Sequence, residues 1–186
     1  RDSTRHKPQT ASEMEPLYAA VRHGCRAGIY EEALVEVYWQ RIQQDIHGKS
    51  HKQLGMINAE VAAISEFFEG DWRAPVADLP QRRQAMVLGI ASSRLRAVGQ
   101  LQTALRLTNN CFDEYERVLQ TLQQSGAPQA EIAKVHVQLS VRARHQAELL
   151  TLLGQADEAL GRAQVGVSLA DESGDTHEMI IERAVD

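Results

Sequence analysis

The sequence predicts an all-α fold, and two observations carry that prediction. The chain has 186 residues, of which 43% are hydrophobic, and helix-favouring Ala, Leu, Gln, Glu and Arg dominate the stretches between its five prolines. Each proline lies where an apolar pattern begins or ends, and the apolar/polar alternation of half-buried strands is missing. The pattern predicts about seven to eight helices around a real hydrophobic core.

Helix start and stop signals divide the chain into a series of predicted helices. Apolar residues at helical spacing predict helices over residues 12–27, 30–48, 50–68, 81–98, 100–124, 128–153 and 155–172. An eighth helix is expected to start at Asp175, where Glu178 stands at the spacing of a capping box. Residues 69–80 contain Gly70 and Pro75 and are expected to form a loop.

The ends of the chain suggest its domain organisation. Residues 1–11 are polar and are expected to be a disordered lead-in, which leaves residues 12–186 as a single helical-repeat domain. The sequence does not begin with Met, and the apolar residues of the expected eighth helix, such as Met179 and Ala184, have nothing after them to pack on. We therefore expect a fragment of a longer chain, and an exposed last helix would favour a homodimer.

Composition excludes several function classes. The 20 Lys and Arg residues against 25 Asp and Glu give a net charge of −5, which disfavours a nucleic-acid partner. The longest apolar runs are about five residues, far short of a membrane span. Cys25 and Cys111 lie far apart in helical patterns, so we expect neither a disulfide nor a zinc site, and a cytoplasmic location without a signal peptide.

Three helix junctions share one motif: a Gly at the turn, a large or apolar residue two positions later, and Ala five positions after the Gly. The three junctions are residues 28–33, 99–104 and 154–159. Gly can adopt a positive φ at the end of the first helix, and the small Ala lets the second helix cross it closely. Such pairs cannot bury both faces alone, so the motif predicts stacking into an α-solenoid.

This motif resembles the tetratricopeptide repeat, whose array is a right-handed α-solenoid of helix pairs. The first junction matches best, through Leu17, Gly24, Tyr30 and Ala33. The third departs from the pattern at Ala163 and at Gly166, and the spacing between the three glycines exceeds the regular period of about 34 residues. Extra or lengthened helices are therefore expected between the repeats.

Longer strings suggest a narrower resemblance. The strings are residues 17–28, residues 36–42, and Phe67-Phe68 followed by Trp72, Pro75-Val76 and Leu79. They are similar to the repeat regions of bacterial STAND signalling proteins, in which a nucleotide-hydrolysing core joins a helical sensor to an effector. No phosphate-binding G-x-x-x-x-G-K-[ST] loop occurs in these residues.

The tetratricopeptide resemblance implies a concave groove that binds peptides along the first helix of each pair. The implied groove positions are Tyr18, Arg22, Arg26, Ser93, Arg96, Arg144 and Glu148. Arginine side chains on one surface suit an acidic or phosphorylated segment, because a guanidinium binds such groups bidentately. The alternative is that these arginines cover helix faces and pair with nearby glutamates.

Other chemistry-bearing residues favour structural roles. His23 and Cys25 are two positions apart on a helix, about 200° around its axis, so they diverge. His145 and Glu148 form a helical pair without further ligands, and His47 and His51 flank a predicted turn, so we expect no metal site.

The sequence therefore predicts a non-enzymatic module without a cofactor that binds a protein or peptide. Its expected place is inside a larger bacterial signalling protein, where it would also contact other domains. The alternative is a small-molecule-sensing helical regulatory domain with an apolar pocket near Trp39, Phe67, Phe68 and Trp72.

Overall fold

The computed structural model describes residues 7–44, 48–176, 179 and 181, and it confirms the all-α prediction. Internal contacts group the chain into two compact units, Arg1–Val87 (unit 1) and Leu88–Asp186 (unit 2). The sequence prediction of one domain over residues 12–186 did not separate these units.

Unit 1 combines regular and π-helical segments. Its elements are α1 (Ala11–Arg26), α2 (Tyr30–Glu32, continuing as the π-helix Ala33–Gln43), a π-helical turn (Lys49–Gln53), α3 (Ile57–Ser65), and the short strands β1 (Phe68–Glu69) and β2 (Ala74–Pro75). Thr10 caps α1, because its hydroxyl accepts from the Glu13 amide at 3.3 Å and its amide donates to the Glu13 carboxylate at 3.2 Å. The core contains Met14, Val21, Leu34, Tyr38, Ile42, Ile64 and Phe67.

Three sequence predictions for unit 1 need correction. The helix expected over 50–68 is interrupted at Gly55, whose φ of 66° cannot continue a right-handed helix. The segment after it, expected as a loop, contains the antiparallel pair of β1 and β2. Part of the expected lead-in is packed, since Pro8 is buried and its carbonyl accepts from Gln44 Nε2 at 2.7 Å; residues 1–6 lie outside the described residues.

Unit 2 follows its predicted helices within one residue at each end. Helix α4 (Gln81–Ala97) starts in unit 1, and α5 (Leu101–Gln124), α6 (Gln129–Leu152) and α7 (Ala156–Ser173) follow. Phe112 of α5 packs with Val135, Leu139 and Ala143 of α6 to form a buried cluster. The expected eighth helix falls largely outside the described residues, because Glu178, Ile180 and Ala184 are not among them.

The three predicted glycine junctions end their helices in the same way. Gly28, Gly99 and Gly154 have φ values of 75°, 81° and 78°, and the amide after each glycine bonds back to the carbonyl five residues earlier, at 2.9–3.0 Å. This is the Schellman cap that a C-terminal glycine allows. The alanines five positions later are also buried, at 3%, 0% and 6% exposure. Within the described residues, no helix is both long and apolar enough to cross a membrane.

Helices α1 and α2 approach closely at one point in unit 1. A Cβ added at Gly24 would lie 2.8 Å from the Cβ of Ala33, which is closer than two such carbons pack. The small side chains at these two positions therefore set the distance between the helices.

We expect Gly24→Ala to lower the free energy of unfolding by about 1–3 kcal/mol, because the added methyl group overpacks the contact with Ala33. Gly161→Ala is the matched control. Gly161 is also helical, and no atom lies within 4 Å of an added Cβ there, so its replacement should stabilise by about 0.5–1 kcal/mol. Urea unfolding followed by circular dichroism measures both changes, and the same effect from both would contradict the close approach.

Candidate functional site

The groove positions predicted in unit 1 do not form one exposed surface. Tyr18 is buried, at 6% exposure, and its hydroxyl shares a hydrogen bond with the buried hydroxyl of Ser50. This placement differs from the exposed groove position that the resemblance implied. Arg22 is half exposed, with Nε 3.8 Å from the Glu66 carboxylate, and Arg26 is exposed in the last turn of α1.

The positions predicted in unit 2 come together. Arg96 of α4 forms an ion pair with Glu148 of α6, and Arg144 Nη1 lies 3.4 Å from the other oxygen of the same carboxylate. The side chains of Arg96, Arg144 and Glu148 are 36%, 19% and 28% exposed, so solvent reaches them. Ser93 lies one turn before Arg96 on α4, and its hydroxyl accepts from buried Arg94 at 3.2 Å. We call Ser93, Arg96, Arg144 and Glu148 the α4–α6 surface.

A second contact lies between these two helices. A Cβ added at Gly89 of α4 would lie 2.6 Å from Nη1 of Arg142 on α6, so the guanidinium lies directly against the glycine backbone. Gly89 precedes Arg96 by seven residues, and Arg142 precedes Glu148 by six. The two contacts therefore place α4 and α6 side by side and parallel, with Ser93 at the level of His145.

Hydroxyl groups hold α4 against α5 behind this surface. The buried Ser92 hydroxyl donates to the carbonyl of Ala104 at 2.9 Å and also contacts the hydroxyl of Thr108. On the neighbouring pair, Gln146 of α6 donates to the Asn109 side chain at 2.8 Å. These hydrogen bonds give the buried hydroxyls and the Gln146 amide nitrogen a partner. They also join α4 to α5 and α5 to α6.

The surroundings of His145 lower the pKa of its imidazole. Burial is the first cause that lowers its pKa, and the charges of Arg142, Arg144 and Arg96 follow, so the pKa falls to about 3. The imidazole is therefore neutral near pH 7.

Sequence reasoning missed Arg142 and Gly89 as parts of this site. The tetratricopeptide register assigns groove positions on α6 to Arg144 and Glu148 only. The run Arg142-Ala143-Arg144-His145 was a signal that two cations and a histidine lie within one helical turn. The glycine that receives the Arg142 side chain becomes meaningful only when α4 and α6 are placed side by side.

Unit 1 contains a buried polar group of a different kind. Glu60 is fully buried, its Oε2 accepts from the hydroxyl of Tyr38 at 3.2 Å, and its Oε1 lies 3.4 Å from Nδ1 of His51. A buried carboxylate is costly unless polar partners surround it. These contacts give Glu60 a structural role that links α3, the π-helix of α2 and the π-helical turn.

The pair His23 and Cys25 and several other histidines are also candidates for chemistry from the sequence. Burial, followed by the charge of Glu66, raises the pKa of Cys25 to about 12, while His23 is exposed. No group of three or more His, Cys, Asp or Glu residues that could hold a metal occurs in the part of the chain that the structure describes, and His47 lies outside it.

The aromatic residues of the alternative small-molecule hypothesis contribute to the packing of unit 1. Phe67 is fully buried, Phe68 is 7% exposed, and the Trp72 ring meets Phe68 edge-on with centroids 5.1 Å apart. Trp39 is partly buried on the π-helix of α2. Burial at the end of α3 and in the following strands accounts for the two phenylalanines.

Comparisons of this chain with protein-family models, curated proteins and solved structures gave no significant match.

Acid is expected to destabilise the protein through His145. Its folded pKa of about 3 lies below the ordinary value of 6.5, so the unfolded chain binds the proton more readily between these values. The free energy of unfolding should fall as the pH drops from about 6.5 towards 3, by at most about 1.4 kcal/mol per pH unit. Urea unfolding of wild type and His145→Gln at several pH values measures this slope. The variant should lose less stability in acid, and parallel losses would contradict the assignment.

Proposed function

We propose that unit 2 is a protein-interaction module that binds an acidic segment of a partner protein along the α4–α6 surface. The observation that carries this proposal is the convergence of Arg96 and Arg144 on the single carboxylate of Glu148. Both arginines belong to the groove positions that the tetratricopeptide resemblance implies. In an acidic protein with a net charge of −5, they provide a local positive surface.

Glu148 holds the two arginines in place until a ligand arrives. A guanidinium presents its donors in a planar fork, and a carboxylate of the partner can accept two of them at once. Because the side chains are partly exposed, an incoming carboxylate can share or replace the contacts to Glu148 without opening the core. The fixed register of α4 and α6 then keeps the arginines at a constant separation, which favours one spacing of acidic residues in the partner.

The proposal extends to the architecture around the site. In three helix pairs the first helix ends at the same glycine cap and the second helix carries a buried alanine five residues after that glycine, which supports repeat units of a right-handed α-solenoid. In a larger bacterial signalling chain, such a module reports the presence of a partner by changing its contacts to neighbouring domains. This mechanism requires no catalytic group.

Fluorescence anisotropy with labelled peptides tests the proposed function. The probe is an array of acidic peptides that vary the spacing of Asp and Glu, each beside its Asn/Gln counterpart. We expect wild type to bind one group of spacings, and the combined variant Arg96→Gln/Arg144→Gln to bind these at least about tenfold more weakly, as expected for lost charge-assisted contacts.

The matched control for this experiment is Arg106→Gln/Arg117→Gln, which removes two exposed charges from α5. It keeps the same net charge as the test variant and should bind like wild type. Equal weakening of peptide binding by both variants would show that the effect comes from the overall charge of the protein and not from the α4–α6 surface. Binding of the Asn/Gln peptides as tightly as the acidic ones would refute the acidic-segment proposal.

A further inference from the structure

The carboxylate of Glu148 occupies the place between the two arginines of the α4–α6 surface. Its Oε2 forms the ion pair with Nη1 of Arg96, and its Oε1 lies 3.4 Å from Nη1 of Arg144. Each carboxylate oxygen therefore faces a different guanidinium. A carboxylate of a partner that approaches both arginines meets a position that is already filled.

The contact between Glu148 and Arg144 is one that a ligand can break readily. The two residues are four positions apart on α6, and the arginine is the N-terminal member of the pair. This order is less favourable for a helical charge pair than the reverse order, in which the acidic residue comes first. Ion pairs that solvent reaches also contribute little to stability, because water and salt screen them.

The side chain of Glu148 can move without disturbing the packing behind it. Its neighbours on both sides, Ala147 and Leu149, are buried and hold the backbone of α6 in the core. The Glu148 side chain itself is 28% exposed. Rotation about its own side-chain bonds therefore takes the carboxylate from the arginines into solvent.

Two acidic residues of a partner would satisfy the arginines better than Glu148 does. Glu148 divides its two oxygens between Arg96 and Arg144, and its one negative charge opposes two positive charges. Two carboxylates provide one carboxylate for each guanidinium, so each arginine can form the bidentate pair that its planar fork favours. The exchange also balances the charge of both arginines.

We propose that Glu148 is an internal competitor of the α4–α6 surface, which a partner segment replaces with two carboxylates of its own. The inference rests on the proposed function and adds the regulation of the same site. Because Glu148 is tethered beside the arginines, its effective concentration there is high. A single free carboxylate therefore does not displace it, whereas a segment with two suitably spaced acidic residues does.

Peptide titration of two variants at position 148 tests this inference. The array of acidic peptides described above is titrated near pH 7 at constant ionic strength, and binding is followed by fluorescence anisotropy. Glu148→Gln removes the competing charge and keeps the size of the side chain, so it should bind the preferred peptides about twofold to fivefold more tightly than wild type. Glu148→Asp keeps the charge and shortens its reach by one methylene group, so it should also bind more tightly than wild type.

Glu116→Gln is the matched control, because Glu116 is exposed on α5 and its replacement changes the net charge by the same amount. It should bind like wild type, and circular dichroism should show that all three variants stay helical. The inference is overturned if Glu148→Gln binds no more tightly than wild type, since Glu148 would then position the arginines without competing. Equal tightening by Glu116→Gln, or binding of Glu148→Asp like wild type, would also overturn it.

The two proposals fail in different ways. Acidic peptides that depend on Arg96 and Arg144, without any gain from Glu148→Gln, would overturn the internal competitor alone. If no acidic peptide binds wild type or Glu148→Gln, both proposals fail. Both also fail if the tighter binding of Glu148→Gln persists after Arg96→Gln and Arg144→Gln are added.

Discussion

The side-by-side packing of α4 and α6, marked by the contact of Arg142 with Gly89 and by the ion pair of Arg96 with Glu148, is the constraint on which the surface of unit 2 depends. A Cβ at position 89 would lie 2.6 Å from Nη1, so the end of the Arg142 side chain would have to move aside. This contact and the ion pair of Arg96 with Glu148 share one register of α4 against α6. The positive potential at His145 follows from the same arrangement, because Arg142, Arg144 and Arg96 all act on its pKa. Gly89 therefore affects both the packing of α4 beside α6 and the position of the Arg142 charge.

Polar groups inside the two units serve packing in different ways. In unit 2, the hydroxyls of Ser92 and Thr108 join α4 to α5 through the carbonyl of Ala104, which satisfies small polar groups at low cost. In unit 1, the fully buried carboxylate of Glu60 needs Tyr38 and His51 beside it. Such buried networks specify one arrangement of the segments that carry them. We interpret the polar core of unit 1 as a device that holds its π-helical segments in place.

Much of the helical framework could be predicted from the sequence, because glycine caps and apolar spacing are local signals. The ends of α4 to α7 and the caps at Gly99 and Gly154 follow from such signals. The π-helix of α2 could not be predicted, since its apolar residues fit an ordinary helix equally well, and Gly55 was a break hidden inside an apolar pattern. At the site, the register of the repeat indicated Arg96, Arg144 and Glu148. Arg142 and the burial of Tyr18 depend on contacts between distant segments, which local patterns do not contain.

A double-mutant cycle between positions 89 and 142 tests the central claim most directly. The free energy of unfolding is measured for wild type, Gly89→Ala, Arg142→Ala and the combined variant. The contact predicts that Gly89→Ala destabilises the wild type, yet is neutral or stabilising once Arg142 is Ala, because the space is then free and alanine favours the helix. The same effect of Gly89→Ala in both backgrounds would contradict the placement of Arg142 against α4.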